Sequence, residues 1–344
     1  MRSAIMLSIP TAFLFGYAAQ RSSLCAVDAI HRLMNDKAFG PFVSFFRVSA
    51  WVIVISLPAW WLWPVARVGE VYAFGLAGLA GATMFGVGAT INGGCNFGTL
   101  IRFATGDASF VVTVAAGALG VWFEGKIFTT PIDGAIGSTS LAHPSPAAIA
   151  LLVVAALWCA GGLLSPGPGA GSAPWVRVAP MIMGLTGGAL YLIDGAWAYT
   201  LDVGRLVNPP APGAISETTL LVITTVTCAG AVAAAWLDGM FHPRLDVAVL
   251  PYRFGGGALM GFGAALAPGG NAVLILHGIP TFSPHAIPDY AGLCFGIIVM
   301  LKVSKRLRVL ARLPTLRRQP VRNASKRRFG PYAWASRRRR PVKD

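Results

Sequence analysis

Charge is what this chain has least of. Only 12% of its 344 residues are charged and 13 are acidic, while 55% are apolar and the mean hydropathy is +0.64. Soluble domains carry roughly 25% charged residues, so a water-exposed globular surface is excluded and the chain reads as an integral membrane protein. Paired cysteines are missing as well. Cys25, Cys95, Cys159, Cys228 and Cys294 are odd in number, show no CxxC spacing and lie mostly in apolar runs, which argues against a disulfide framework. No metal-ligand cluster, phosphate loop or nucleophile with its base is visible, so the reading is of a non-enzyme with no cofactor and no metal. His277 and His285 are isolated, and Cys159, Cys228 and Cys294 read as core filler.

Positive charge is abundant in one place. Lys302 to Asp344 holds sixteen of the 28 Lys and Arg and one of the 13 acids, which leaves a neutral body. Residues 302–344 therefore read as a basic cytoplasmic tail beside anionic membrane lipid, with no nucleic acid expected as partner.

About 20 apolar residues cross a bilayer. Nine such segments occur, at about 4–20, 42–63, 72–91, 109–128, 146–164, 178–194, 218–238, 254–268 and 286–301. The first is read as a retained span, because Tyr17 fits a signal cleavage site poorly. With the tail inside, nine crossings put the N-terminus in the periplasm. Arg21, Arg32, Lys37, Arg102, Arg177, Arg244 and Arg253 then fall on the cytoplasmic side, while the stretch 129–145 has no Lys or Arg and falls outside.

Residues 165–177 open with a Pro/Gly-rich run that reads as a linker between a first half, 1–164, and a second, 178–301. Shifted by 176 residues without a gap, Gly81 to Cys95 matches Gly257 to Asn271 at six of fifteen positions. The two copies are five crossings apart, so they are inverted. Inverted repeats with broken helices at the midplane are a transporter pattern.

The break itself is Gly93-Gly94-Cys95, set between two apolar runs. Lipid cannot satisfy freed backbone groups, so such a break must be buried in protein or line a cavity. A short helix from Cys95 or Asn96 toward Phe103 would aim unpaired N–H groups and a positive dipole end at an anion. Gly269-Gly270-Asn271 repeats the arrangement in the second half. A thiol is a weak, polarizable donor suited to exposed sulfur, provided that burial keeps Cys95 protonated. Cys25, close after Arg21 at the end of the first span, is ambiguous on position alone, and Arg21 reads either as an anion attractor or as an orientation anchor.

Together, Gly16 with Gln20-Arg21-Ser22-Ser23-Leu24-Cys25, then Gly93-Gly94-Cys95, then Gly269-Gly270-Asn271, resemble the YeeE/YedE sulfur-transport proteins over most of residues 5–300. The resemblance implies an all-α, polytopic hourglass of inverted repeats with re-entrant half-helix loops. It also implies import of thiosulfate or a similar sulfur anion across the bacterial inner membrane. Cys25 and Cys95 inherit the family's thiol roles, and Asn271 stands where the pattern has a third cysteine. A cytoplasmic sulfurtransferase is the implied possible partner, because carrying a dianion inward against ~100 mV costs roughly 4.6 kcal/mol unless the ion is drained or accompanied by protons. The alternative from another class is a membrane thiol protein that carries sulfur covalently on Cys25 and Cys95.

Overall fold

The computed structural model describes residues 2–63, 66–68, 70–128, 135–164, 175–195 and 217–307. Most of the linker and the tail beyond residue 307 lie outside these residues.

A helix occupies each of the nine apolar segments. The first half has α1 (Arg2–Ser22), α2 (Ala26–Asp36), α3 (Gly40–Leu62), α4 (Leu76–Asn92), α5 (Asn96–Ala104), α6 (Phe110–Ile127) and α7 (Pro146–Leu164). The second has α8 (Trp175–Asp194), α9 (Glu217–Leu237), α10 (Leu250–Leu266), α11 (Gly270–Val273) with a π-helical turn at Leu274–Gly278, and α12 (Ala286–Leu307). Five of them, α3, α6, α7, α9 and α12, contain a stretch long and apolar enough to cross a membrane. A sixth results if the segment Val247–Leu266 and the 45° bend into Gly270–Gly278 count as one span. The chain is thus an all-α, multi-pass membrane protein. α4, at 17 residues, is shorter than a full crossing helix, because Gly93 ends it at φ +80°. Among the described residues the strands form one antiparallel ribbon of β1 (Glu70–Tyr72) and β2 (Ala135–Ser138), which takes the first residue of the expected third span.

Bilayer lipid gives apolar helices no hydrophobic reason to associate, so close backbone contact must hold them together. α10 shows how. A methyl added at Gly261 would lie 1.9 Å from the Gly117 carbonyl oxygen of α6, and one at Gly257 would lie 2.5 Å from that of Thr113. These two glycines are the GxxxG pair seen in the sequence. α10 packs along α4 and α6, α12 along α4, α1 along α8 and α9, and α3 along α8. The halves therefore interlock rather than sit side by side.

The helices follow one another at a nearly constant offset. α4, α5 and α6 start at residues 76, 96 and 110, and α10, α11 and α12 at 250, 270 and 286. Exchanging each helix for its counterpart turns the pair α1/α9 into α8/α3 and the pair α4/α12 into α10/α6, and both members of each exchange are in contact.

Candidate functional site

Gly93 and Gly94 stop α4 by a left-handed turn in which the Gly94 N–H returns to the Ala89 carbonyl (2.9 Å). The Gly269 N–H makes the same bond to Ala264 (3.0 Å). Asn92 holds the first turn. Its Nδ2 donates to the Gly94 carbonyl (2.7 Å) and the Thr99 hydroxyl (3.0 Å), and its Oδ1 accepts from the Thr113 hydroxyl (2.7 Å). The fully buried amide thus ties α4, α5 and α6 together.

Cys95 is the N-cap of α5, extended at φ −72° and ψ −172°, and its carbonyl accepts the first helical bond from Thr99 (2.8 Å). Cys25 plays the same part for α2, extended at φ −138° and ψ 125°, with its carbonyl bonded to Ala29 (2.8 Å). Two short helices thus begin at one place with a thiol each. The Ala26 N–H of α2 donates to Cys95 Sγ (3.3 Å), so the chain just after one thiol rests on the other. Gly98 makes room, since a methyl there would lie 2.6 Å from Cys25 Sγ. From the other half, Asn271 Nδ2 donates to Cys95 Sγ (3.5 Å), so residues 176 positions apart in sequence meet.

Cys95 and Asn271 are fully buried and Cys25 nearly so. Phe97 closes the neck between Phe15 and Phe45, with both ring centroids 6.3 Å away. Gly270 lets the second turn lie against the ring of Phe85, 2.8 Å from where its own methyl would be. In so dry a setting each polar contact is worth more than in water, and each unmade one costs more. Asn271 Oδ1 accepts no hydrogen bond among the described residues.

The structure therefore brings Cys25, Cys95 and Asn271 together, framed by Gly93, Gly94, Gly269 and Gly270. Arg21 turns elsewhere. It pairs with Asp238 (2.8 Å), donates to the Tyr17 hydroxyl (3.0 Å) and stacks over the Trp175 ring at 5.0 Å, the geometry of an anchor at a helix end. Asp238 lies just beyond α9, where burial raises its carboxyl pKa and Arg21 lowers it. Of the other acids, Asp28 pairs with Arg32 at the surface and Asp194 accepts from Ser8, joining α8 to α1. Sequence reasoning missed two parts of the site. One is the Asn92 clamp, for which an amide directly before Gly-Gly was the available signal. The other is the Ala26 N–H, for which nothing short of α2's position gives a signal.

Among the described residues no group of three or more His, Cys, Asp or Glu is arranged to hold a metal. Comparison with curated proteins gives no match. The family model described as sulphur transport matches residues 21–299, which span both cysteine helices, both glycine turns and Asn271. The chain belongs to the sulphur transport family, the family of the YeeE/YedE proteins.

Proposed function

We propose that this protein imports thiosulfate, or a closely related sulfur-containing anion, across the bacterial inner membrane by way of Cys95, Cys25 and Asn271. The observation that carries the reading is the meeting of two N-cap thiols with an amide from the opposite half in one dry neck. Two donors already point at the Cys95 sulfur, the Ala26 N–H and Asn271 Nδ2. An arriving sulfur anion would take over those donors and the thiol protons, recovering part of the hydration it loses. Asn271 would receive the ion from outside, Cys95 would hold it at the centre, and Cys25 would release it inward.

The near-constant helix offset and the exchangeable packing pairs support nine crossings arranged as inverted repeats, with α5 and α11 as re-entrant half-helices. In that arrangement the N-terminus is periplasmic, and the hollow lined by Ser56, Trp60, Arg67, Tyr191, His277 and Thr281 is the outer approach. The basic tail would lie on cytoplasmic lipid, where a sulfurtransferase could collect the ion.

Uptake of labelled thiosulfate by cells lacking their own importers tests the reading. Cys95→Ser should abolish uptake, and Asn271→Cys should change the preference among sulfur anions. Uptake undiminished in Cys95→Ser would refute the thiol path. The neighbouring thiols also suit a covalent sulfur relay, in which label would stay on the denatured protein; in an importer it would not.

A further inference from the structure

A second polar cluster lies at the far end of the turn that carries Asn271. The π-helical segment Leu274–Gly278 runs into a tight turn in which the Thr281 N–H bonds the His277 carbonyl and the Ser283 N–H bonds that of Gly278 (2.9 and 3.0 Å). Ser283 Oγ lies 2.6 Å from His285 Nδ1, accepts the Tyr72 N–H (2.8 Å) and bonds the Tyr72 carbonyl (3.2 Å). The His285 ring stands edge-on to Tyr72, with centroids 5.5 Å apart. The Asp289 N–H bonds the His285 carbonyl (2.9 Å), so His285 stands directly before α12 and Asp289 lies one turn further on.

His285 is 2% exposed and Asp289 fully buried, yet Phe282 and Pro284 beside them are exposed. The site is one layer below the surface. Its surroundings hold little charge. α4, packed along α12, has no ionisable residue between Leu76 and Asn92. The ribbon contributes Glu70 and Tyr72, the π turn His277, and α12 its own Tyr290. α2 lies along α12 toward Lys305, whose Nζ reaches Asn35; its Asp28 and Arg32 pair with each other, and His31 and Asp36 are its remaining titratable groups.

The counterpart cluster in the first half shows the contrast. At the same 176-residue offset, Ser283, His285 and Asp289 correspond to Asp107, Ser109 and Thr113. There the carboxylate is held by Arg244 (3.4 Å) and Arg253 (3.9 Å), a fixed-charge lock. In the second half Ser283 stands in place of the locked carboxylate, and a histidine and a carboxyl group stand in place of Ser109 and Thr113. Ionisable groups at membrane depth are costly and mark proton or ion pathways.

We propose that His285 and Asp289 form a proton-binding site on the outer limb of the path, and that at least one proton enters with each anion. The proposal rests on the import reading above. A dianion that brings one proton moves one negative charge instead of two. The proton arrives from the outer side, is held on the imidazole or on the carboxyl group, and leaves with the anion into the cytoplasm. No bond other than those to the proton changes. Because the pair sits at the foot of the segment that begins at Asn271, its occupancy can set the position of that segment.

The test uses the full chain in vesicles of neutral and anionic phospholipid loaded with a pH dye, with thiosulfate added outside. The interior should acidify as thiosulfate enters, and the accumulation limit should rise about tenfold per pH unit of inside-alkaline gradient for each proton carried. In Asp289→Asn and His285→Gln the gradient should lose its effect while downhill exchange of labelled thiosulfate persists. A parallel infrared titration of detergent-solubilised protein should show a protonated-carboxyl band that disappears in Asp289→Asn. Thiosulfate entry without acidification, or gradient dependence retained in both variants, overturns the proposal. If thiosulfate does not enter at all, the import reading fails, and the infrared band alone then decides whether the pair binds a proton; its absence overturns the site.

Discussion

Replacing Asn92 by Ala should expose Cys95 without unfolding the protein. Three hydrogen bonds hold the turn before Cys95, to the Gly94 carbonyl, Thr99 and Thr113. Each is worth about 1 kcal/mol net, so their joint loss lowers the cost of opening that turn by about 3 kcal/mol. The turn lies among α4, α5 and α6, while most helix contacts that hold the fold lie elsewhere, so the loss should be local. Alkylation of a fully buried thiol requires opening, and 3 kcal/mol corresponds to roughly a hundredfold faster reaction. The assay is maleimide labelling in a chain whose other four cysteines are replaced. Thr113→Val removes one of the three bonds and should accelerate labelling by roughly fivefold. Combined with Asn92→Ala it should add little, because the shared bond is already gone. Labelling unchanged in Asn92→Ala, or full additivity in the double variant, would refute the clamp.

Gly98→Ala should impair uptake far more than stability. The new methyl displaces the Cys25 thiol, an overpacking cost of about 1–3 kcal/mol, and circular dichroism should stay unchanged while transport falls. Gly261→Ala should lower the melting temperature in detergent, because its methyl meets a backbone carbonyl that cannot move aside. Gly161→Ala, with nothing within 4 Å, should be neutral or stabilising by about 0.5–1 kcal/mol. Arg21→Lys keeps the charge opposite Asp238 but loses the stacking over Tyr17 and Trp175, so it should cost stability while leaving the preference among anions unchanged. A changed preference in that variant would return Arg21 to the anion path.

Apolar runs were legible because hydropathy is a property of consecutive residues; a helix stands in each, and five of those helices are long and apolar enough to cross a membrane. Gly93-Gly94 was legible as a break because only glycine takes φ +80° there without strain. The convergence of Cys25 with Cys95 was not. It depends on α2, an 11-residue helix with charged residues that gives no membrane signal, and on the Gly98 gap that seats one thiol against the other. The β1/β2 ribbon was equally hidden, since three- and four-residue strands carry almost no pattern. Asn271 could be aligned with Cys95 by the repeat, but its contact with that sulfur comes from packing between halves. Arg21 shows the opposite limit. A lone cation at a span end looks the same in sequence whether it faces a substrate or Asp238.

The interlocked packing has a consequence for biogenesis. α1 leaves the ribosome first, yet its partners α8 and α9 are not made until more than half of the chain is synthesised, and α4 waits for α10 and α12. Early segments must therefore linger in the translocon's vicinity as lone helices, with Ser8 and Asn92 facing lipid. Neither half made separately should be a stable unit, whereas the two expressed together as separate chains should assemble, because what joins them is helix packing rather than the residue 165–174 connection.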